Sequence, residues 1–329
     1  MPRVFITGAT GMLGQTLIEE LFKSGHDKIT AFVVKGDKLE RELPPFVERL
    51  YGNILDKDSI SAALGEGDVV LHLAALVSLE AKDNEKMRLV NVLGTKNVVD
   101  AALEKGCSKL VYVSTSHVLG YKKTGLIVES DFGGKTENIG AYEVTKKEAT
   151  AYVFQKAKEG LNASVVYPSG IIGDRDFGRG PVTTMLAQLA SGKIPFFVKG
   201  GYAFVDVHDV ARVIIAAMEK GRPGEGYLAS GGYMSLEDID KTVHRRYPHL
   251  KKSRLIPMWL AYFSLPFMML REKYLKKKAL YTYMSLKTVR TKAFFSTEKT
   301  TKELGIVFTP LEESIDRSLA FIEKTTTLK

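Results

Sequence analysis

The sequence predicts a doubly wound α/β fold: a parallel sheet covered by helices on both faces, joined to a smaller, mostly helical C-terminal lobe. Three observations carry this. Short apolar runs without alternation recur at Val4–Thr7, Ile29–Val34, Val69–Leu73, Leu110–Ser114 and Ser164–Tyr167, and such runs are strands buried on both sides. Amphipathic stretches such as Leu13–Ser24 and Glu85–Glu104 separate them, which supplies the covering helices. Finally, Gly8, Gly11 and Gly14 follow the first run directly in "VFITGATGMLG".

Taken in order, the first strand ends at Thr7 and the helical run begins at Leu13, so the glycines occupy the turn between them. Missing side chains there let the chain bend sharply and let a diphosphate reach the amides at a helix N-terminus. A tight turn alone also favours glycine, but a strand before and a helix after is the context a nucleotide loop requires. The spacing is GxxGxxG rather than GxGxxG. The second strand runs out in "AFVVKGD", with Lys35 at its end and Asp37 two residues on. After about Pro168 the rhythm breaks at Gly178, Gly180 and Pro181, returns at "YAFVDVHDVA" and "GYLASGG", then yields to helices and loops. The expected division is a nucleotide-binding domain of residues 1–170 with about 203–230, and a substrate-binding lobe of 171–202 and 231–329.

With 329 residues and 45% hydrophobic content the chain can bury a large core. Its single cysteine excludes an intramolecular disulfide, and its six histidines lack the short His/Cys spacings of metal sites. A cytoplasmic setting without a bound metal is expected, since the opening residues also lack the apolar region of a signal sequence. The net charge of +9 is uneven: Lys241 to Lys329 hold 19 Lys and Arg against 7 Asp and Glu. A solvated face, an anionic membrane surface and an anionic substrate are all open readings of that quarter. No nucleic-acid partner is expected, because no recognition motif accompanies the charge.

The longest uncharged stretch, "LIPMWLAYFSLPFMML" from Leu255 to Leu270, lies between basic segments and contains Pro257 and Pro266. It is too short and broken to span a bilayer of roughly 30 Å. A buried lobe helix or dimer face, a lid over an apolar substrate, and peripheral membrane contact through residues 251–278 remain open.

In sequence order, "TGATGMLG", "YGNILDKDSISAAL", "DVVLHLAALVS", "VNVLGTKNVVDAA", "LVYVSTSHVLG", "AYEVTKKEA", "VVYPSGIIG" and "FVDVHDVA" resemble the successive motifs of the extended short-chain dehydrogenase/reductase family. The likeness runs from about Val4 to Ala216 and touches the C-terminus at "TKELGIVFTPLEESI". It implies a Rossmann-like domain holding a nicotinamide dinucleotide on Gly8, Thr10, Gly11, Met12, Leu13 and Gly14. It further implies Leu73, Ala74 and Ala75 along the cofactor, Asn53 and Ile54 at the adenine, and Pro168 and Ser169 at the nicotinamide end. Asn53 departs from the aspartate common in the family. An acidic residue at the end of the second strand goes with NAD; Lys35 there suits a 2′-phosphate and points to NADP(H), with NAD(H) open through Asp37.

The family's proton donor is the tyrosine of YxxxK, a spacing met by Tyr142, Tyr152, Tyr247, Tyr274 and Tyr283. Place selects Tyr142 and Lys146: they follow Thr115 by a loop, open a helix, and project from one face of it one turn apart. The resemblance implies that both also touch the cofactor. A free phenol titrates near ~10, so proton transfer near neutrality asks for about 3 pH units of lowering, on the order of 4 kcal/mol. The Lys146 ammonium and the positive nicotinamide ring are expected to supply it. Counting back from Gly120 makes Thr115 the hydroxyl that orients the substrate oxygen, with Ser114 and Ser116 beside it.

The resemblance implies hydride transfer to or from a carbonyl or alcohol carbon of a small, hydrophobic substrate, as in members similar to dihydroflavonol reductases and 3β-hydroxysteroid dehydrogenases. A homodimer is expected, as relatives commonly form one. A nucleotide-sugar epimerase with bound NAD(P), and a non-catalytic NADP-binding sensor or assembly protein, are the alternatives. The lack of asparagine in "VVYPSGIIG" and of acids in "STSHV" weighs against the first; Tyr142 with Lys146 weighs against the second.

Overall fold

The chain opens with β1 (Val4–Thr7), α1 (Met12–Lys23), β2 (Ile29–Val33), β3 (Glu48–Tyr51), α2 (Lys57–Ala63) and β4 (Val69–His72). There follow α3 (Asn84–Arg88), a π-helical turn (Leu89–Gly94), α4 (Thr95–Glu104), β5 (Lys109–Val113), α5 (Ala141–Lys158), β6 (Ala163–Pro168) and β7 (Gly170–Ile172). Next come α6 (Pro181–Ala190), β8 (Phe196–Val198), β9 (Gly201–Asp206), α7 (Val207–Lys220), β10 (Gly226–Ala229) and β11 (Gly232–Ser235). The chain closes with α8 (Leu236–Arg246), β12 (Arg254–Ile256), α9 (Met258–Leu275), α10 (Tyr283–Arg290), α11 (Glu298–Leu304) and α12 (Leu311–Thr325). This computed structural model describes residues 1–77, 83–122, 124–135, 140–275, 283–290 and 292–325.

Seven strands form one parallel sheet in the order β10-β6-β5-β4-β1-β2-β3. Strand order reverses between β1 and β4, so the crevice beyond their carboxyl ends is the topological switch point, where open α/β sheets bind ligands. Each strand except β3 feeds two apolar layers. Val4 and Ile6 join the layer with α1 and α7, while Phe5 joins the one with α2, α4 and α5. That is why the buried strands read as unbroken apolar runs. β3 does not: its "ERLY" is a half-covered edge strand, and its charged residues suit an edge.

A three-stranded sheet, β11-β9-β7, and a parallel pair, β12-β8, build the remainder. β9 therefore hydrogen-bonds in the small sheet, whereas α7 and β10, which follow it, belong to the large one. α11 also packs there, with the Thr300 hydroxyl donating to the Leu228 carbonyl at 2.7 Å.

The "FVDVHDVA" segment fastens these parts together. The buried Asp206 carboxylate accepts from the His208 amide at 2.8 Å, starting α7, and accepts from Arg317 of α12 through both oxygens at 3.0 and 2.9 Å. The His208 ring lies between Asp174 at 3.1 Å and Glu20 of α1 at 3.2 Å. Hydrogen bonding to Asp174 first, and to Glu20 as well, holds its pKa above the usual value against the opposing effect of burial. Asp209 accepts from the Thr309 amide and hydroxyl at 2.6 and 2.9 Å.

Of the readings open for Leu255–Leu270, full burial is overturned. α9 buries Ala261 and partly covers Met258, Tyr262 and Leu265, but leaves Trp259, Phe263 and Phe267 exposed, because among the described residues the helix packs on one side. Among the described residues no helix is long and apolar enough to cross a membrane. Residues 276–278 of the basic segment lie outside the described residues.

Removing one partner of a buried ion pair strands the other charge. Arg317→Ala is therefore expected to lower stability by about 3 kcal/mol in urea denaturation, and Arg317→Lys by less. A loss below about 0.5 kcal/mol would mean that Asp206 and Arg317 behave as an exposed pair.

Candidate active site

The turn after β1 meets its surroundings unevenly. Gly8 has φ +75°, and a Cβ on it would stand 2.7 Å from the Ala74 amide nitrogen. A Cβ on Gly14 would overlap the Gly8 carbonyl oxygen. The protein's own packing thus requires glycine at both. Gly11 is different: it is exposed, and a Cβ there would approach only the Gly8 carbonyl oxygen, at 3.5 Å. That opening lies over the first turn of α1, whose amides receive no side-chain cap among the described residues. It is a cradle that a side chain would fill and that a diphosphate fits. A second sign comes from Ser169, just past β6, whose buried hydroxyl has no hydrogen-bond partner among the described residues.

The other residues expected at the cofactor are distributed around this cradle. Thr10 donates to Asp37 at 2.7 Å, and the other Asp37 oxygen accepts from the Leu39 amide at 2.9 Å; Lys35 is exposed beside them. Leu73 and Ala74 are half-buried at the end of β4, and Ala75 is exposed. Met12 and Leu13 are half-buried at the start of α1, and Pro168 is buried at the end of β6. The Asn53 side chain accepts from the Leu55 amide at 3.0 Å, closing its own turn. Ile54 packs where Gly94 leaves room, since a Cβ on Gly94 would stand 2.6 Å from its Cδ1.

Beneath the cradle runs a buried chain of hydrogen bonds. The Ala74 amide donates to the Thr7 hydroxyl at 3.3 Å, and that hydroxyl lies 2.6 Å from His72 Nδ1. His72 Nε2 lies 3.0 Å from the Thr95 hydroxyl, which itself donates to the Asn91 carbonyl at 2.7 Å. A hydroxyl has one proton to give. Thr95 must therefore accept from His72, so Nε2 carries the proton and Nδ1 accepts from Thr7. The Asn91 side chain accepts from the Leu76 amide at 2.7 Å and donates to the Leu76 carbonyl at 3.0 Å and the Thr145 hydroxyl at 3.1 Å. Thr145 in turn donates to the Tyr142 carbonyl at 2.9 Å. Asn91 sits in the π-helical turn, a local widening common at functional sites. Motif reading did not single out His72, Asn91 or Thr145; a lone polar residue within an otherwise apolar pattern was the available signal.

Tyr142 and Lys146 lie on the first two turns of α5. The helix starts from an extended Gly140, whose amide donates to Glu143 at 2.9 Å. Its buried stripe is Thr145, Lys146, Ala149, Thr150 and Val153, so the lysine is carried inside by its neighbours. Lys146 Nζ donates to the Val113 carbonyl at 2.7 Å and lies 4.3 Å from the Tyr112 ring centre. Burial lowers its pKa to about 7. The phenol of Tyr142 is raised above 10, by burial first and then by the Glu143 carboxylate, while Thr115 pulls the other way by hydrogen bonding to it. The expected lowering of the phenol is thus not a property of the chain alone, because the ammonium meant to supply it is turned to Val113 and Tyr112. Of the three neighbouring hydroxyls, Thr115 is the one that acts to lower the pKa of the Tyr142 phenol, and its oxygen also accepts from the His117 amide at 3.3 Å. Ser114 pairs with Thr150 of α5 at 2.7 Å, inside the protein, and Ser116 is buried in the turn that follows.

The profile of the NAD-dependent epimerase/dehydratase family matches residues 4–229, the span holding the cradle and α5. The chain belongs to that family. Sterol demethylase protein B of Methylococcus capsulatus is 28% identical over 97% of this chain and 98% of its own length. A 4-hydroxy-2-methyl-3-oxo-4-farnesyl-3,4-dihydroquinoline-1-oxide ketoreductase of Stigmatella aurantiaca is 30% identical over 70% of this chain and 68% of its own. The crystal structure of gox2253 superposes with a TM-score of 0.85 at 27% identity, covering 100% of both chains. Several solved nucleotide-sugar epimerases and dehydratases share the fold at 17–19% identity. Membership in the epimerase/dehydratase family makes this an extended short-chain dehydrogenase/reductase and a nicotinamide-nucleotide-dependent protein.

The buried His72 has its pKa lowered to about 3 by burial first and by Lys146 second. Its unfolded value is about 6.5, so between those limits the unfolded chain binds a proton that the folded chain refuses. Stability from this group is complete above pH 6.5 and falls as pH drops toward 3, by up to about 1.4 kcal/mol per pH unit. Urea midpoints measured from pH 6.5 to 5 are expected to decline for the natural protein and to decline less for His72→Gln. Equal slopes would show that His72 is not held neutral.

Proposed function

We propose that the protein is an NADP(H)-dependent oxidoreductase acting on a carbonyl or alcohol carbon of an apolar substrate, with Tyr142 as proton donor and acceptor. The observation that carries this reading is the buried hydrogen-bond chain from the end of β4 beside the glycine cradle through Asn91 and Thr145 to the Tyr142 carbonyl at the start of α5. A bound nicotinamide dinucleotide would supply or take up the hydride. The chain's own groups handle the oxygen. Thr115 orients it, and the Tyr142 hydroxyl gives it a proton; the raised phenol is protonated at neutral pH, the form that donates to a carbonyl oxygen. Lys146, its pKa lowered by burial to about 7, can hold or release a proton within the site, where it donates to the Val113 carbonyl at 2.7 Å.

Apolar substrates are favoured by the names of two relatives, which refer to a sterol and to a farnesylated quinoline oxide. The preference for NADP(H) rests on Lys35, an exposed cation past the end of β2. Both Asp37 oxygens are already engaged by Thr10 and Leu39, so this carboxylate reads as a brace for the loop.

Tyr142→Phe is expected to lower kcat/KM for an apolar ketone about 1000-fold while leaving NADPH affinity nearly unchanged by fluorescence titration. Activity within about tenfold of the natural enzyme would remove Tyr142 from the proton path. Conversion of UDP-sugars, with no turnover of ketones or alcohols, would replace the reading with an epimerase. Lys35→Ala is expected to weaken NADPH about tenfold and NADH hardly at all; equal losses would refute contact with the 2′-phosphate.

A further inference from the structure

α9 is seated from one side. Ala261, with Met258, Tyr262 and Leu265, packs on Val198, Leu286 and Val289. Its outer side is apolar as well. Trp259, Phe263 and Phe267 follow at four-residue steps, which makes one stripe along the helix, and they are 69%, 66% and 65% exposed. Leu255 and Phe196 extend the patch onto β12 and β8, at 54% and 51% exposure, with Phe196 the register partner of Arg254.

The exposed charge flanking this patch is mostly basic, although Glu272 follows Arg271 in α9 and the buried Asp240 accepts from the Ser253 hydroxyl at 2.8 Å. From Tyr247 to Arg271 the chain has three cations before the helix, Lys251, Lys252 and Arg254, then Arg271, and no Asp or Glu. Ser191 to Gly200 adds Lys193 and Lys199, again without an acid. Lys193, Lys199, Lys251, Lys252 and Arg254 are exposed. Large rings turned outward from a helix already held on its other face leave apolar area in water, an arrangement that marks an interaction surface. Aromatic rings with cations at their margin are the composition of a helix lying in the headgroup layer of a membrane. α9 also contains Pro266 and is not apolar and long enough to cross.

We propose that the outer face of α9, with β12 and Phe196, docks on an anionic lipid surface. Trp259, Phe263 and Phe267 enter the boundary of the acyl chains, and Lys251, Lys252 and Arg254 meet the lipid phosphates. Pairing this face with a second copy would set the same cations against one another, which disfavours self-association. The proposal is independent of the crevice chemistry.

Trp259 is the single tryptophan of the chain, so its emission reports this surface alone. The full-length protein is to be mixed with vesicles of phosphatidylcholine, with or without phosphatidylserine. Blue-shifted emission and quenching by acyl-brominated lipid are expected with the mixed vesicles and should weaken at high salt. Lys251→Gln/Lys252→Gln/Arg254→Gln should bind those vesicles on the order of a hundredfold more weakly. Phe263→Ser/Phe267→Ser should lose the quenching while keeping the natural circular dichroism. The proposal is overturned by unchanged emission with both vesicles, by an equal response to both, or by a shift that tracks protein concentration without lipid.

Discussion

The site depends on a buried polar chain that must be fully paired. Thr7, His72, Thr95 and Asn91 lie within the apolar body of the protein, each at 1% exposure or less, and Thr145 at 3%. A polar group left unpaired at that depth costs about 1–3 kcal/mol, so each member specifies the next. The consequence is positional. β1 and β4, whose carboxyl ends border the cradle, are tied through α4 and the π-helical turn to the first turn of α5. A single set of hydrogen bonds therefore places the phenol relative to the glycine loop, and one imidazole tautomer satisfies it.

The same burial governs the ionisable groups of the site. His72, Tyr112 and Lys146 form a compact group, with the His72 and Tyr112 rings stacked at 5.5 Å and the ammonium 4.3 Å from the Tyr112 ring centre. Desolvation holds the imidazole neutral and draws the ammonium down to about 7. It also raises both phenols, Tyr112 and Tyr142. Without a cationic partner placed against it, the Tyr142 proton stays where it is. Proton transfer at neutral pH therefore needs a change that the chain alone does not make, such as positive charge entering the crevice.

Much of the fold was legible because doubly buried strands cannot alternate. β1, β2, β4, β5 and β6 each appear as an apolar run, and the helices between them as amphipathic stretches. β3 was hidden by its edge position. The glycine cradle was legible from spacing, but spacing could not separate the two packing glycines from Gly11, since that needs the distance from each missing Cβ to its neighbours. Thr115 had been set apart from Ser114 and Ser116 by motif alignment; their different directions come from the turn after β5, which a linear pattern does not encode. His72, Asn91 and Thr145 were illegible for a related reason: the bonds that join them across elements reach 15 to 65 residues along the chain. The exposure of the α9 aromatics removed full burial from the readings left open, because hydrophobicity alone cannot tell an inward stripe from an outward one.

The most direct test is a crystal structure of the protein with NADPH and an apolar ketone. The account predicts the diphosphate on the amides of Gly11, Met12 and Leu13, and the ketone oxygen within hydrogen-bonding distance of both the Tyr142 and Thr115 hydroxyls. The pairing from Thr7 to Thr145 should be unchanged. A dinucleotide seated away from the opening at Gly11, or a ketone oxygen out of reach of Tyr142, would contradict it.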